Sequence, residues 1–162
     1  MGKTGDVVHE SSASSVGEAG APVAGLECRI GKAHIALPTD WIGRLVEYRP
    51  LPLPLARRWI GGIALHEDVP LISIALIPPQ KPHARGVVTG VLLNVPSSPM
   101  GLALEIDEVF AFVRATVNPR RSAPGAKVPR WISSVITADQ RQIGWIDVAT
   151  MLADLAKTTE VA

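Results

Sequence analysis

Between Trp59 and Ile74 the chain reads WIGGIALHEDVPLISI, two apolar runs on either side of the polar trio His66-Glu67-Asp68. Alternating runs flanking a short polar turn predict an antiparallel β-hairpin. The same arrangement recurs in ALEIDEVFAFV, residues 103–113, and predicts a second hairpin. In that pair Leu102, Leu104 and Ile106 fall on one face, assigned to the core. Ala103, Glu105 and Asp107 fall on the other, assigned to water.

The remaining segments extend this pattern. Residues 1–23 are rich in Gly, Ser, Ala and acidic side chains and hold too few large apolar groups to offset the entropy of ordering, so they are expected to be a disordered leader. Leu26, Cys28 and Ile30 alternate with polar neighbours, Gly31-Lys32 turns the chain, and Ala33, Ile35 and Leu37 alternate again, which predicts a first hairpin. Residues 41–48 fit a strand or one helical turn. The prolines of PLPLPLARR, residues 50–58, predict an extended crossover. After a polar loop at 78–86 comes a strand near 87–93. Beyond the loop NPRRSAPGAK, residues 131–137 and 142–146 predict a last hairpin about Ala138-Asp139-Gln140-Arg141. Asp147 is placed to cap a helix over about 147–157, with Val148, Met151, Leu152 and Leu155 at helical spacing behind it. About ten short strands and one closing helix make an all-β protein.

Composition narrows the function classes. A chain of 162 residues with 47% hydrophobic content can bury one respectable core or two small ones side by side. Sixteen basic against fifteen acidic side chains leave a formal charge of +1, so no whole-molecule field draws it to nucleic acid or anionic lipid. Cys28 is the only cysteine, which excludes an intramolecular disulfide framework and a multi-cysteine zinc site and fits a reducing cytoplasm. The N-terminus lacks the apolar core of a signal peptide. The longest apolar stretch, 69–79, is shorter than the roughly 20 residues a membrane helix needs. A cytoplasmic protein without membrane insertion is expected.

No constellation of residues assembles a catalytic or metal site. His66-Glu67-Asp68 places three ionisable groups in one turn, but no second histidine stands at ligand-like spacing, and a solvated tip or a partner contact fits better. Glu105, Asp107 and Glu108 read as a polar edge or docking patch, with the proviso that a buried carboxylate there needs a partner. Gly2-Lys3-Thr4 lacks the strand and first glycine of a phosphate loop, and no glycine-x-serine-x-glycine elbow is present. Cys28, on an apolar strand face, is expected to be an inert core thiol. The four tryptophans are barrel-core anchors, Trp131 and Trp145 foremost, while Trp41 and Trp59 flank the proline run and are also candidates for a binding surface. No catalytic residue, cofactor or metal is expected. One local charge bias stands out: Arg114, Arg120, Arg121, Lys127 and Arg130 lie in a stretch with no acidic residue between Glu108 and Asp139. A solvated loop or a docking patch accounts for it. An OB- or SH3-like nucleic-acid-binding module using 114–130 is the alternative, though only Trp131 is available for base stacking.

Laid in order, the segments resemble the CheW-like domain, the coupling module that links chemoreceptors to the histidine kinase CheA in bacterial chemotaxis arrays. LECRIGKAHIALP is similar to the family's opening hairpin, and Ile42, Leu45 and Val46 occupy its "valine, any, glutamate, valine" stretch. PLPLPLARRWIGGIAL is similar to its proline-then-glycine run, with Gly61 or Gly62 at the glycine. Ile106, Asp107, Glu108 and Val109 resemble its "valine-aspartate-x-valine" strand. Ile146, Asp147 and Leu152 match its last strand and helix start. One departure is plain: where the family has "asparagine-x-arginine-glycine" at the hairpin turn, this chain has Ala64, Leu65, His66 and Glu67, so the five-donor guanidinium of that corner is absent. The resemblance covers about 26–155, within a domain drawn at 24–158. It implies two SH3-like five-stranded β-barrel subdomains with a C-terminal α-helix, a hydrophobic groove between them, and no catalysis. It also implies an adaptor for a CheA-type histidine kinase and a methyl-accepting chemoreceptor or analogous signalling protein, with possible association with other CheW-like domains and a place at membrane-associated receptor clusters through those partners. The candidate protein-binding residues are Ile42, Leu45, Val46, Gly61, Gly62, Ile63, His66 and Glu67.

Overall fold

The structure, a computed structural model, describes residues 22–78, 85–116 and 128–158. Its ten strands are β1 (Pro22–Ile30), β2 (Ala33–Pro38), β3 (Ile42–Tyr48), β4 (Ile60–His66), β5 (Val69–Ile74), β6 (Val88–Leu93), β7 (Gly101–Ile106), β8 (Glu108–Thr116), β9 (Ile132–Ala138) and β10 (Arg141–Ile146), followed by one helix, α1 (Val148–Lys157). They form two five-stranded sheets, ordered β8-β1-β2-β10-β9 and β3-β6-β7-β5-β4. Each sheet curls into a small barrel and contains one parallel pair, β2 with β10 and β5 with β7. The all-β architecture with a closing helix is the one the strand pattern predicts, and its division into two barrels is the one the resemblance implies.

Local turn chemistry explains three of the hairpins. Gly31 takes φ +59° between Ile30 and Ala33, the conformation required at the first central position of a type II′ turn. Glu67 and Asp68 have φ of 50° and 64°, and Asp139 and Gln140 have 48° and 63°, so both of these two-residue loops are type I′ turns built without glycine. Their twist matches that of the strands they join. The stretch 41–48, anticipated as a strand or one helical turn, is strand from Ile42 onward, and a 3-10 turn at Thr39–Trp41 leads into it. Asp147 caps α1, its carboxylate accepting from the Thr150 backbone N–H at 3.0 Å and from the Thr150 hydroxyl at 2.8 Å.

Three expectations need correction. ALEIDEVFAFV is not a hairpin: β7 belongs to one sheet and β8 to the other, and Asp107 alone separates them. Asp107 is held at this crossing, its N–H donating to the Arg29 carbonyl at 2.8 Å and its carboxylate accepting from the Gly31 N–H at 2.5 Å. Residues 50–58 are not extended throughout, because the Ala56 N–H closes a turn on the Leu53 carbonyl at 3.3 Å. The first strand starts at Pro22, pairing Pro22 with Thr116 and Val23 with Ala115, so ordered structure reaches into the end of the segment assigned to the leader.

The core has three parts, set by strand alternation. Ala36, Ile143 and Trp145 fill the first barrel, and Val46, Tyr48, Ala64, Leu71 and Ala103 fill the second. The largest cluster lies where the two barrels meet. It joins Leu26, Cys28, Ile30, Ile35 and Leu37 of one sheet to Ile74, Val91, Leu93, Leu104 and Ile106 of the other, with Val148 and Met151 of the helix. Trp41, Trp59 and Trp131 pack against this cluster, so all four tryptophans serve apolar cores.

Cys28 lies fully buried in that shared core, and burial, with the neighbouring Glu27 carboxylate as the lesser cause, pushes its thiol up to about 12. A raised pKa stabilises the fold fully below the unfolded-state value near 9 and is lost as pH rises from there towards 12. The native protein at pH 8 is therefore expected to resist a thiol-specific colorimetric reagent and to react with one equivalent in denaturant. Rapid labelling of the folded chain would contradict this placement.

Candidate protein-binding site

The candidate residues fall on the two edge strands of the second barrel. Ile42, Leu45 and Val46 lie on β3; Gly61, Gly62, Ile63 and His66 lie on β4; Glu67 stands in the β4–β5 turn. Edge strands at opposite ends of a sheet are distant in a flat sheet, but here the curl brings them together: the Arg44 guanidinium on β3 donates to both Glu67 oxygens, at 3.3 Å and 2.6 Å. Its hydrogen bonds, and secondarily its charge, hold the Glu67 carboxyl below the usual carboxylate range, while Glu67 in turn raises Arg44. His66 contributes a longer contact, Nε2 to Glu67 Oε1 at 3.9 Å. The corner therefore does present a guanidinium, supplied by the opposite edge strand and already occupied by a carboxylate.

Not all eight residues face outward. Val46 is 4% exposed inside the second barrel, which removes its side chain from any partner contact. Gly61 and Gly62 serve the barrel itself. A Cβ on Gly61 would stand 2.2 Å from Glu105 Oε1, and Gly62, at φ +144°, lies against the Leu51 carbonyl. Ile42 and Ile63 are half-buried, whereas Leu45 and Glu67 are exposed. Two exposed apolar residues at this corner escaped the sequence reading, Leu65 at 73% and Val69 at 53%.

Register shows why the surface is apolar. Across the second sheet Leu45, Val91, Leu104 and Ile74 stand in one row, and Leu102, Ile72 and Ile63 in the next. Ala64 and Leu71 point into the barrel, so their strand neighbours Ile63, Leu65, Pro70 and Ile72 point out. The middle of the first row is covered by the other barrel, and the rest of this outer face continues past the covered area into solvent. An apolar sheet face only partly covered by its own chain is a surface suited to a protein partner.

Behind it lies a polar network that the sequence did not reveal. Glu105, assigned to the wet face of a strand, projects into the second barrel, where the Arg85 guanidinium donates to both of its oxygens and also to the Gly61 carbonyl at 3.0 Å. The Ser73 hydroxyl donates to Glu105 at 2.5 Å and stands 2.7 Å from the Tyr48 hydroxyl. Burial, the largest effect on Tyr48, pushes its phenol up to about 12. The first barrel has a counterpart: Glu27, with a side chain 3% exposed, accepts from Arg141 at 3.2 Å and 3.3 Å and contacts His34 Nδ1 at 3.0 Å, with the Phe110 ring beneath both bases. Arg85 lies twenty residues from Glu105 and Arg141 lies 114 from Glu27, so no local spacing signals either pair.

A cleft of 430 Å³ between the barrels is lined by Ile30, Ile77, Val88, Arg85, Glu105 and Asp107 among others. Its ionisable groups are engaged with one another or with Gly31 and Arg29. Among the described residues no group of three His, Cys, Asp or Glu could hold a metal ion, and no helix is long and apolar enough to cross a membrane. Of the basic stretch, Arg130 is bound to Asp154 and Arg114 is exposed on β8, while Arg120, Arg121 and Lys127 lie outside the described residues.

Two partly closed barrels sharing one core, with a helix capping the seam, narrow the comparison with known proteins. The family model for the CheW-like domain matches residues 24–156. This chain belongs to the CheW-like domain family. Among solved structures it is similar to the scaffolding protein TtCheW from Thermoanaerobacter tengcongensis, at 13% identity over 78% of this chain and 90% of that one, with a TM-score of 0.58. At that identity the likeness is one of fold. A comparison with the curated proteins finds no match. CheW-like proteins are chemotaxis scaffolds rather than enzymes, and the outer apolar face of this member's second barrel suits such work.

Breaking the buried pair tests the network's part in supporting that face. Arg85→Met leaves Glu105 uncompensated among side chains only 12–13% exposed and is expected to lower unfolding free energy by about 3–5 kcal/mol. Adding Glu105→Gln to it should restore part of the loss. Chemical denaturation of both variants reads the difference, and an unchanged midpoint for Arg85→Met would show the pair to be dispensable.

Proposed function

We propose that this protein is a non-enzymatic adaptor of a chemotaxis-like signalling system, coupling a CheA-type histidine kinase to a methyl-accepting chemoreceptor or another signalling component. It would act in the cytoplasm, at receptor clusters reached through those partners. The scaffold resides in residues 24–158. The observation that carries this reading is the outer face of the second barrel, apolar along both register rows and left uncovered at Leu45 and, one row further along, at Leu65 and Pro70.

Association at such a face removes apolar area from water at roughly 25 cal/mol per Å², with charged neighbours setting orientation and excluding wrong partners. The Arg44–Glu67 pair supplies that orientation here. Because the guanidinium already has a carboxylate, a partner must offer more than one more acid to displace it, and apolar complementarity therefore dominates recognition at this corner. The pairing of Arg130 with Asp154 favours the protein-docking reading over phosphate binding by the basic stretch.

Leu45→Arg and Leu65→Asp place charge in the face at exposed positions, where neither disturbs the core. Each is expected to weaken binding of the purified cognate kinase or receptor fragment at least about tenfold, equivalent to about 1.4 kcal/mol, by calorimetry, with an unchanged circular dichroism spectrum. Folded variants that bind as the parent does would overturn the choice of face. Oligonucleotide binding that weakens steeply with salt would instead support the nucleic-acid alternative.

A further inference from the structure

The proline strap between β3 and β4 carries the most exposed large apolar side chain among the described residues. Leu55 is 86% exposed, and its neighbours at alternate positions, Leu51 and Leu53, are 62% and 40% exposed. Leu55 also has φ +57°. With Pro54 before it and the Leu53 carbonyl accepting from the Ala56 N–H, the segment is a type II turn whose third position, normally glycine, is filled by leucine. A bulky residue in the left-handed region is strained, and the strain is retained only where the surroundings impose it. Here they do. Pro50 is fully buried, and Leu51 exchanges two backbone hydrogen bonds with Ile63 at 2.8 and 2.9 Å. On the far side the Arg57 guanidinium donates to the Ala156 carbonyl in the last turn of α1, and the Arg57 carbonyl accepts from Ile60 N–H at 2.9 Å. Both ends of the strap are anchored, and a leucine is projected from its apex.

We infer that Leu55, flanked by Leu53, is a preformed knob that docks in an apolar pocket rimmed by carboxylates on another protein. Three features select that partner. Arg49, Arg57 and Arg58, all exposed, flank the leucines, and no acidic residue occurs between Glu47 and Glu67, so the rim it meets should be negative. A second copy of this chain fits poorly, because a two-fold contact at the strap sets like arginines against one another. A lipid surface would reward exposed leucines and arginines in any conformation, whereas a fixed, strained turn gains affinity only against a partner of fixed shape. The strap adjoins the Leu45–Leu65 face through the Leu51–Ile63 pairing, but Leu55 stands at its apex, and the inference does not rest on the adaptor reading.

The test uses the full chain in its native cell with a benzophenone photo-crosslinking side chain at position 53, with and without Leu55→Gly and Arg49→Glu. Adducts are expected to a single protein, at apolar residues neighbouring Asp or Glu. Arg49→Glu should reduce their yield, and Leu55→Gly should abolish it. Glycine adopts φ +57° without strain, so Leu55→Gly should also raise Tm of the purified protein by about 2–4 °C. Binding lost while stability rises is a combination that a purely structural leucine cannot give. Adducts only to lipid or to a second copy, no adducts, a yield unaffected by Leu55→Gly, or a lowered Tm would each overturn the inference.

Discussion

The outward faces of two five-stranded sheets bury the same apolar cluster, and the rest of the molecule is arranged around that fact. A barrel of five short strands has little interior, and here each interior is small or partly polar: Ala64, Ala103 and the Glu105 network in one, Ala36 and the Glu27 cluster in the other. Neither interior holds apolar side chains comparable in number or size to those at the junction. The strands therefore have to be apolar on the outside too, and the barrels complete each other. Wherever one does not reach across the other's outer face, the apolar rows continue into solvent.

Much of this was legible from residue pattern. Hairpins with two-residue turns declare themselves through alternation on both sides of a polar or glycine-bearing break, and Asp147 declares α1 through its cap. What stayed hidden has a common cause. Alternation gives the two faces of a strand but not which space each face meets, so Glu105 read as wet when its face in fact turned into a barrel, as Glu27's does in the other. In the same way β7, Asp107 and β8 look like a hairpin, since one polar residue between apolar runs is compatible with a reversal or with a step into another sheet. The choice lies with Asp107, whose contacts to Arg29 and Gly31 come from a turn 76 residues earlier. Within the candidate corner, the inward Val46 and the outward Leu65 were not legible, because bulges between Ile42 and Arg44 and between Ile60 and Gly62, and the closure of the barrel by Arg44 and Glu67, set which side chains emerge.

The buried ion pairs do more than contribute to stability. Replacing a buried pair by apolar residues is often neutral or favourable, so stability alone does not explain their presence. Arg85 reaches Glu105 and the Gly61 carbonyl at once, tying β7 to β4 across the barrel, and Arg141 ties β10 to β1 through Glu27. In a sheet where a one-residue slip would turn an apolar row inward, such cross-ties fix the register.

Sheet membership has one more consequence, in the order of synthesis. The second barrel is built from consecutive strands, β3 to β7, whereas the first takes β1 and β2 from before them and β8 to β10 from after. On the ribosome the later-numbered barrel can close first, while the opening hairpin waits for the chain beyond Asp107 to emerge, some seconds at typical elongation rates of about 5–20 residues per second. During that wait Leu26, Cys28 and Ile30 can meet only the second barrel's side of their cluster, without Val148 and Met151 of the helix that complete it. The nascent chain is then most in need of a chaperone, and its single thiol is most open to oxidation.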